Sequence, residues 1–132
     1  MDLRILEIAS HTDYNKIIEN PTHKSKNKNP ICGDEMEISL VIKNGSVRDI
    51  GYQCKSCIYC QASVSLLSRK IKDKNLDEIE KFITYCENIF EKNKIYLEDY
   101  WKDFLELFDK KNISRKECLL LPLRTVVKAL KI

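Results

Sequence analysis

From Met36 the chain alternates. Met36, Ile38, Leu40 and Ile42 are apolar, and Glu37, Ser39 and Lys43 among them are polar. A period of two is the mark of a strand with one buried face. Asn44-Gly45 follows at once, and this pair suits the two positive-φ positions of a tight hairpin turn. The return strand is expected to run to Tyr52, giving a hairpin over about 36–52. An isolated hairpin is marginal in water, so its apolar face must be covered by other elements.

The cover is legible downstream. Between Ile58 and Lys72 the pattern turns helical, with Ala62, Leu66, Leu67 and Ile71 on one side. Helical stripes follow over 76–90 and 97–108; the second carries Tyr100, Trp101, Phe104, Leu105 and Phe108. A last stripe holds Leu119, Leu120, Leu123, Val126, Val127 and Leu130. Ser114 precedes Glu117 at the spacing of a capping box. Pro122 is harmless in a first turn and awkward in a helix interior. The last helix is therefore expected to start near Leu119 or to kink there, with Cys118 at its N-terminus. Upstream, Leu3, Leu6, Tyr14, Ile17 and Ile18 fit one or two short helices. The polar stretch 20–29, bounded by Pro21 and Pro30, fits a loop. The expected class is α+β: a small antiparallel sheet packed by several helices. The length of 132 residues fits one domain over 1–132.

Several function classes drop out. A net charge of +3, with lysine outnumbering arginine, is too weak for a nucleic-acid footprint. The lysines Lys24, Lys26 and Lys28 are expected to be a solvated loop. No apolar run approaches the 18 or so residues of a membrane span. Asp2 and the lack of an apolar region behind it argue against a signal peptide, so a cytoplasmic protein is expected.

In such a compartment six cysteines need another explanation than disulfides. Cys86 keeps helical spacing with Ile79, Phe82 and Ile83 and is expected in the core. Cys54, Cys57 and Cys60 form a C-x2-C-x2-C run, yet each familiar reading of it is incomplete. A bacterial ferredoxin run would continue to a fourth cysteine where Val64 stands. A zinc ribbon needs a second C-x2-C, and a thioredoxin-like pair needs a βαβ setting. Cys32, Cys57 and Cys118 share a different property, since all three are expected at element ends. Free backbone N–H groups there favour thiolate, the metal-binding form. Asp34 lies two residues from Cys32. Three thiolates and a carboxylate suit tetrahedral zinc or an iron–sulfur cluster, and the carboxylate should make a cluster easier to release. His11 and His23 lie outside these segments and are expected at the surface.

These residues resemble a known family. Asn29-Pro30-Ile31-Cys32-Gly33-Asp34 is similar to the N-P-x-C-G-D signature of the IscU/SufU/NifU N-terminal family of iron–sulfur cluster assembly scaffolds. Gly45-x-Val47-x-Asp49-Ile50-x-Tyr52 resembles its strand-turn-strand motif. The stretch from Cys57 to Ala62-Ser63-Val64-Ser65 resembles its second cysteine motif, and Arg115-x-x-Cys118-x-x-Leu121-Pro122 its third. The long interval between Cys57 and Cys118, with Glu117 where the IscU type has histidine, looks SufU-like.

The resemblance implies a SufE/NifU-like fold and a metal held by Cys32, Asp34, Cys57 and Cys118, either zinc or a labile [2Fe–2S] cluster. It implies a scaffold or sulfur carrier, with a zinc-dependent sulfurtransferase role as accessory to a cysteine desulfurase left open. Cys118 would accept persulfide sulfur from the desulfurase, and apo iron–sulfur proteins or carriers would receive the product. Two departures bear on this. Cys54 and Ser56 replace glycines of the motif, which makes Cys54 and Cys60 alternative ligands. Glu117 adds negative charge beside Cys118. A binding module with a purely structural zinc, using the same residues, is the competing expectation. An electron-transfer iron–sulfur protein is a weaker one.

Overall fold

The structure is a computed structural model and describes residues 3–131. Three antiparallel strands form one sheet in the order β1-β2-β3: β1 is His23–Lys28, β2 Glu35–Lys43 and β3 Ser46–Lys55. The hairpin is present as expected and somewhat longer. Asn44 and Gly45 take φ of 54° and 75° at its turn. Among the described residues, four α-helices accompany the sheet: α1 Leu3–Ala9, α2 Ile58–Ile71, α3 Leu76–Cys86 and α4 Lys116–Leu130. Short 3-10 segments lie at Ile89–Glu91, Asp99–Leu105 and Lys110–Arg115. No helix among the described residues is long and apolar enough to cross a membrane.

The register puts Ser25, Ile38 and Tyr52 in one inward row, and His23, Leu40 and Ile50 in the next. Ile38, Leu40 and Ile50 are fully buried. α2 and α4 pack on each other, and both contact the sheet. Their buried faces carry Ala62, Leu66 and Leu67 on α2, and Leu119, Leu123 and Val126 on α4. The opposite face is polar and places Lys24, Lys26 and Lys28 across from Ser39, Glu37 and Glu35.

Four expectations need correction. First, 23–28 is an edge strand rather than a loop. It has no apolar residue, because one face meets water and the other meets helix backbone through Ser25, whose hydroxyl donates to the Thr125 carbonyl at 2.6 Å. Lysines on such an edge oppose unwanted strand pairing. Second, the N-terminal segment has its expected short helix, but the helix is buried through Ile5, Ile8 and Ala9 while Leu3, Leu6 and Ile17 stay exposed. Only Leu3–Ala9 is helical there. Third, 97–108 is not an α-helix. Within Asp99–Leu105, Trp101 and Phe104 are buried three apart while Tyr100 and Leu105 face outward, and Leu107 and Phe108 are buried just beyond it. That period is the 3-10 period, in which residues i and i+3 eclipse. Trp101 stacks on Phe82 with ring centroids 4.0 Å apart, which fixes this segment to α3. Fourth, Ser114 caps nothing. The chain enters α4 from the 3-10 turn Lys110–Arg115, whose cap is Asp109, accepting the Lys111 N–H at 2.9 Å.

Pro122 stands inside α4 and gives no N–H to the carbonyl of Cys118, one turn back. The helix is held from outside instead. The Ser63 hydroxyl of α2 donates to the Leu119 carbonyl at 2.6 Å. Ser65 donates from the same helix to carbonyls of Ile8 and His11. The A-S-x-S stretch is thus a set of small hydroxyls that let α2 approach α1 and α4 closely.

Gly51 is required by contact. A Cβ there would lie 2.5 Å from the Lys16 carbonyl oxygen, in the segment that accepts the Tyr52 N–H at Tyr14. Gly51→Ala is expected to lower stability by about 1–3 kcal/mol, as overpacking against backbone does, read as a lower midpoint in denaturant. Ser63→Ala should cost about 1 kcal/mol by the same measurement, because the Leu119 carbonyl loses its second partner.

Candidate metal centre

Three chain segments end at one point. The first is the turn before β2. Asn29 builds it: its side-chain oxygen accepts the Ile31 N–H at 3.0 Å, its carbonyl accepts the Gly33 N–H at 2.8 Å, and its own N–H donates to the Asp34 carbonyl at 2.8 Å. Gly33 has φ of 78°, a conformation that side-chain-bearing residues resist. The outcome is that Cys32 projects at the surface while Asp34 turns inward, only 7% exposed.

The second segment joins β3 to α2. Cys57 is the N-cap of α2, with extended backbone, and is half-buried. Its N–H donates to Asp34 Oδ1 at 3.3 Å. Gln61 locks the junction by donating from Nε2 to the Ser56 carbonyl at 2.8 Å. The third segment is the first turn of α4, where Cys118 is buried.

The sulfurs of Cys32 and Cys118 lie 3.7 Å apart. The donor atoms of Cys32, Asp34 and Cys118 all fall within 4.8 Å of one another. Cys57 stands beside this trio, its thiol against that of Cys118 and its amide on Asp34. All four residues singled out in the sequence are therefore neighbours, and three share a coordination-sized space. Cys86 is fully buried in the core, as expected.

The electrostatics favour a cation. Burial pushes the Cys118 thiol up, and the adjoining Cys57, Asp34 and Cys32 push it further. Asp34 Oδ2 is buried and has no hydrogen-bond partner. A carboxylate oxygen so placed is costly unless a positive charge meets it. Sulfur and carboxylate donors in this number suit zinc or iron, so the residues fit the metal that the sequence motifs imply. Glu117 adds less charge here than expected. Its carboxylate pairs with Arg124, which also binds Glu87 at 3.0 Å.

Sequence reasoning missed two supports of the site. One is the Asn29 side chain, whose role is visible only once the turn closes. The other is the Ser63 contact, which sets α4 against α2 and hence Cys118 beside Cys57.

Residues 5–94 match the family of the NifU-like N terminal domain, a stretch that includes Cys32, Asp34 and Cys57. The iron–sulfur cluster assembly scaffold protein IscU of Thermotoga maritima is 29% identical over 128 residues, which are 96% of this chain and 89% of that protein. The SUF-system protein SufU of Fervidobacterium islandicum shares the fold with a TM-score of 0.89 at 24% identity, covering 98% of this chain and 96% of that one. The N-terminal part of a NifU-like protein from Brucella abortus matches with a TM-score of 0.89 at 22% identity, covering 98% and 91%. With its motifs, its fold and the match over most of its length, the chain belongs to the NifU-like N-terminal domain family.

Proposed function

We propose that this chain is an iron–sulfur cluster assembly scaffold that accepts persulfide sulfur from a cysteine desulfurase at Cys118. The observation that carries the reading is the convergence of Cys32, Asp34 and Cys118 around a carboxylate oxygen with no partner. The scaffold role of its Thermotoga relative supports it. The proposed ligand set is Cys32, Asp34, Cys57 and Cys118. Zinc, when bound there, would hold the thiols as thiolates; a labile [2Fe–2S] cluster would be the product built on the same donors. The SufU-like subgroup is favoured by Glu117 and by the 3-10 segments inserted ahead of α4. On this reading the protein works in the cytoplasm as one domain over 1–132, with apo iron–sulfur proteins or carriers as recipients.

Each residue has a task. Cys118 thiolate attacks the outer sulfur of the desulfurase persulfide; the desulfurase cysteine leaves as thiolate and Cys118 carries the persulfide. Cys32, at the surface and 3.7 Å from Cys118, marks the side from which the donor sulfur arrives. Asp34 holds α2 through the Cys57 amide and keeps one oxygen for the metal.

Alanine released from cysteine by a desulfurase tests this directly. Wild-type protein should accelerate it, and Cys118→Ala should lose that acceleration by about tenfold or more, as removal of a nucleophile does. Undiminished acceleration by Cys118→Ala removes the sulfur-transfer step. A structural zinc module makes the opposite forecast for metal removal. The core around Ile38, Leu66, Phe104 and Val126 is built from residues outside the site. Chelation is therefore expected to leave most of the far-ultraviolet circular dichroism unchanged, whereas wholesale loss of helix would favour a zinc that folds the chain.

A further inference from the structure

Cys60 is fully buried and has no part in the proposed ligand set. It is the third residue of α2, and Cys57 is that helix's N-cap. N-cap and third-residue side chains face each other across the first turn, the relation that makes a capping box reciprocal. Cys57 and Cys60 are thus a C-x2-C pair on a helix start, one thiol half-open and one enclosed. Such pairs interconvert between dithiol and disulfide. The sequence alone spoke against a redox pair because no βαβ unit surrounds it. The structure supplies the needed setting by another route, with β3 running through Ser56 straight into α2.

Cys60 is fully enclosed, with Cys54 and Cys57 close by. Enclosure keeps solvent-borne electrophiles away from it and limits its reach to sulfur brought next to it. Cys57 is the neighbour that can bring it, because its own thiol lies against Cys118. Beside the pair, Ser56 Oγ is buried without a hydrogen-bond partner.

We infer that Cys60 is a built-in resolving thiol that converts sulfane sulfur on Cys57 into sulfide. The inference rests on the sulfur-acceptor reading above. Cys57 first takes the outer sulfur of the Cys118 persulfide, and Cys118 leaves as thiolate. The Cys60 sulfur then attacks the inner sulfur of the Cys57 persulfide. A Cys57–Cys60 disulfide forms, the S–S bond of the persulfide breaks, and hydrosulfide departs with the Cys60 proton as hydrogen sulfide. Two thiols are oxidised and one sulfane sulfur is reduced to sulfide, the oxidation state a cluster requires. No other reductant enters this single turnover. The helix N-terminus favours the departing anion.

The test charges the 132-residue chain with inorganic polysulfide, removes the excess by desalting, and follows free sulfide and peptide masses without reduction. Trypsin gives a fragment over 56–69 that holds Cys57 and Cys60 and no other cysteine. In the wild type this fragment should lose two hydrogens as sulfide appears, and dithiothreitol should restore it. Cys60→Ser and Cys60→Ala should keep an extra sulfur on Cys57 or Cys118 and release sulfide about tenfold more slowly. Equal sulfide release by either folded variant overturns the inference. So does a wild-type fragment that keeps its hydrogens, or a disulfide mapped to Cys32 and Cys118 instead. Absence of any extra sulfur on wild type and variants alike overturns the sulfur-acceptor reading itself, an outcome distinct from sulfur that arrives and is not resolved.

Discussion

A single buried carboxylate joins the parts of this molecule that matter. Asp34 Oδ1 accepts the amide of Cys57, which ties the turn before β2 to the start of α2. Oδ2 faces inward with no partner. An unmet carboxylate oxygen in a protein interior opposes folding unless something positive completes it. The fold supports that state because the hydrophobic layer between the sheet and the α2/α4 pair is extensive, and because the amide at the start of α2 meets the carboxylate. The proposed metal would turn a local cost into binding energy, which is a reason for a donor set to be left open at the edge of an otherwise closed core.

Position, more than residue type, separates the cysteines. Cys86 sits on the apolar stripe of α3 and is enclosed by the core. Cys32 is carried outward by a turn whose geometry depends on Asn29 and Gly33. Cys118 is enclosed at the first turn of a helix clamped by Ser63. The Cys32 and Cys118 sulfurs meet although one residue is exposed and the other buried, because the turn before β2 and the first turn of α4 converge on the Asp34 carboxylate. A site open on one side and backed by core on the other suits an exchange with a partner protein better than catalysis on a small molecule.

Much of this was legible beforehand, for physical reasons. The Met36–Ile42 alternation and the Asn-Gly turn are local signals, and the hairpin they imply is present. The four residues of the proposed site could be chosen from element ends and motif spacing alone. β1 was not legible: a polar edge strand with one face in water shows no hydrophobic period. The 97–108 segment misled for the opposite reason. Its aromatics fit a helical stripe, but Trp101 and Phe104 are buried three apart in a 3-10 segment, and stacking of Trp101 on Phe82 fixes it there. Ser25 and Ser63 look like ordinary polar residues in the sequence. Only the packed structure gives them carbonyl partners in α4.

Glu117 shows how a change beside a reactive thiol can be absorbed. The IscU-type motif would put a nitrogen donor there, and a carboxylate next to Cys118 ought to oppose its thiolate. Arg124, two turns along α4, draws that carboxylate away and holds Glu87 at the end of α3 with two further contacts. An exposed ion pair alone contributes little, but a guanidinium shared by two carboxylates fixes the first turn of α4 against α3, as Ser63 fixes it against α2. Residue 117 has thereby become a brace, unavailable to the metal. In the proposed centre the fourth donor is then left to Cys57, which in the inferred step is also the residue whose persulfide Cys60 resolves. Ligation by Cys57 and resolution by Cys60 compete for the same sulfur atom, so a disulfide there would open the metal site as it delivers sulfide to it.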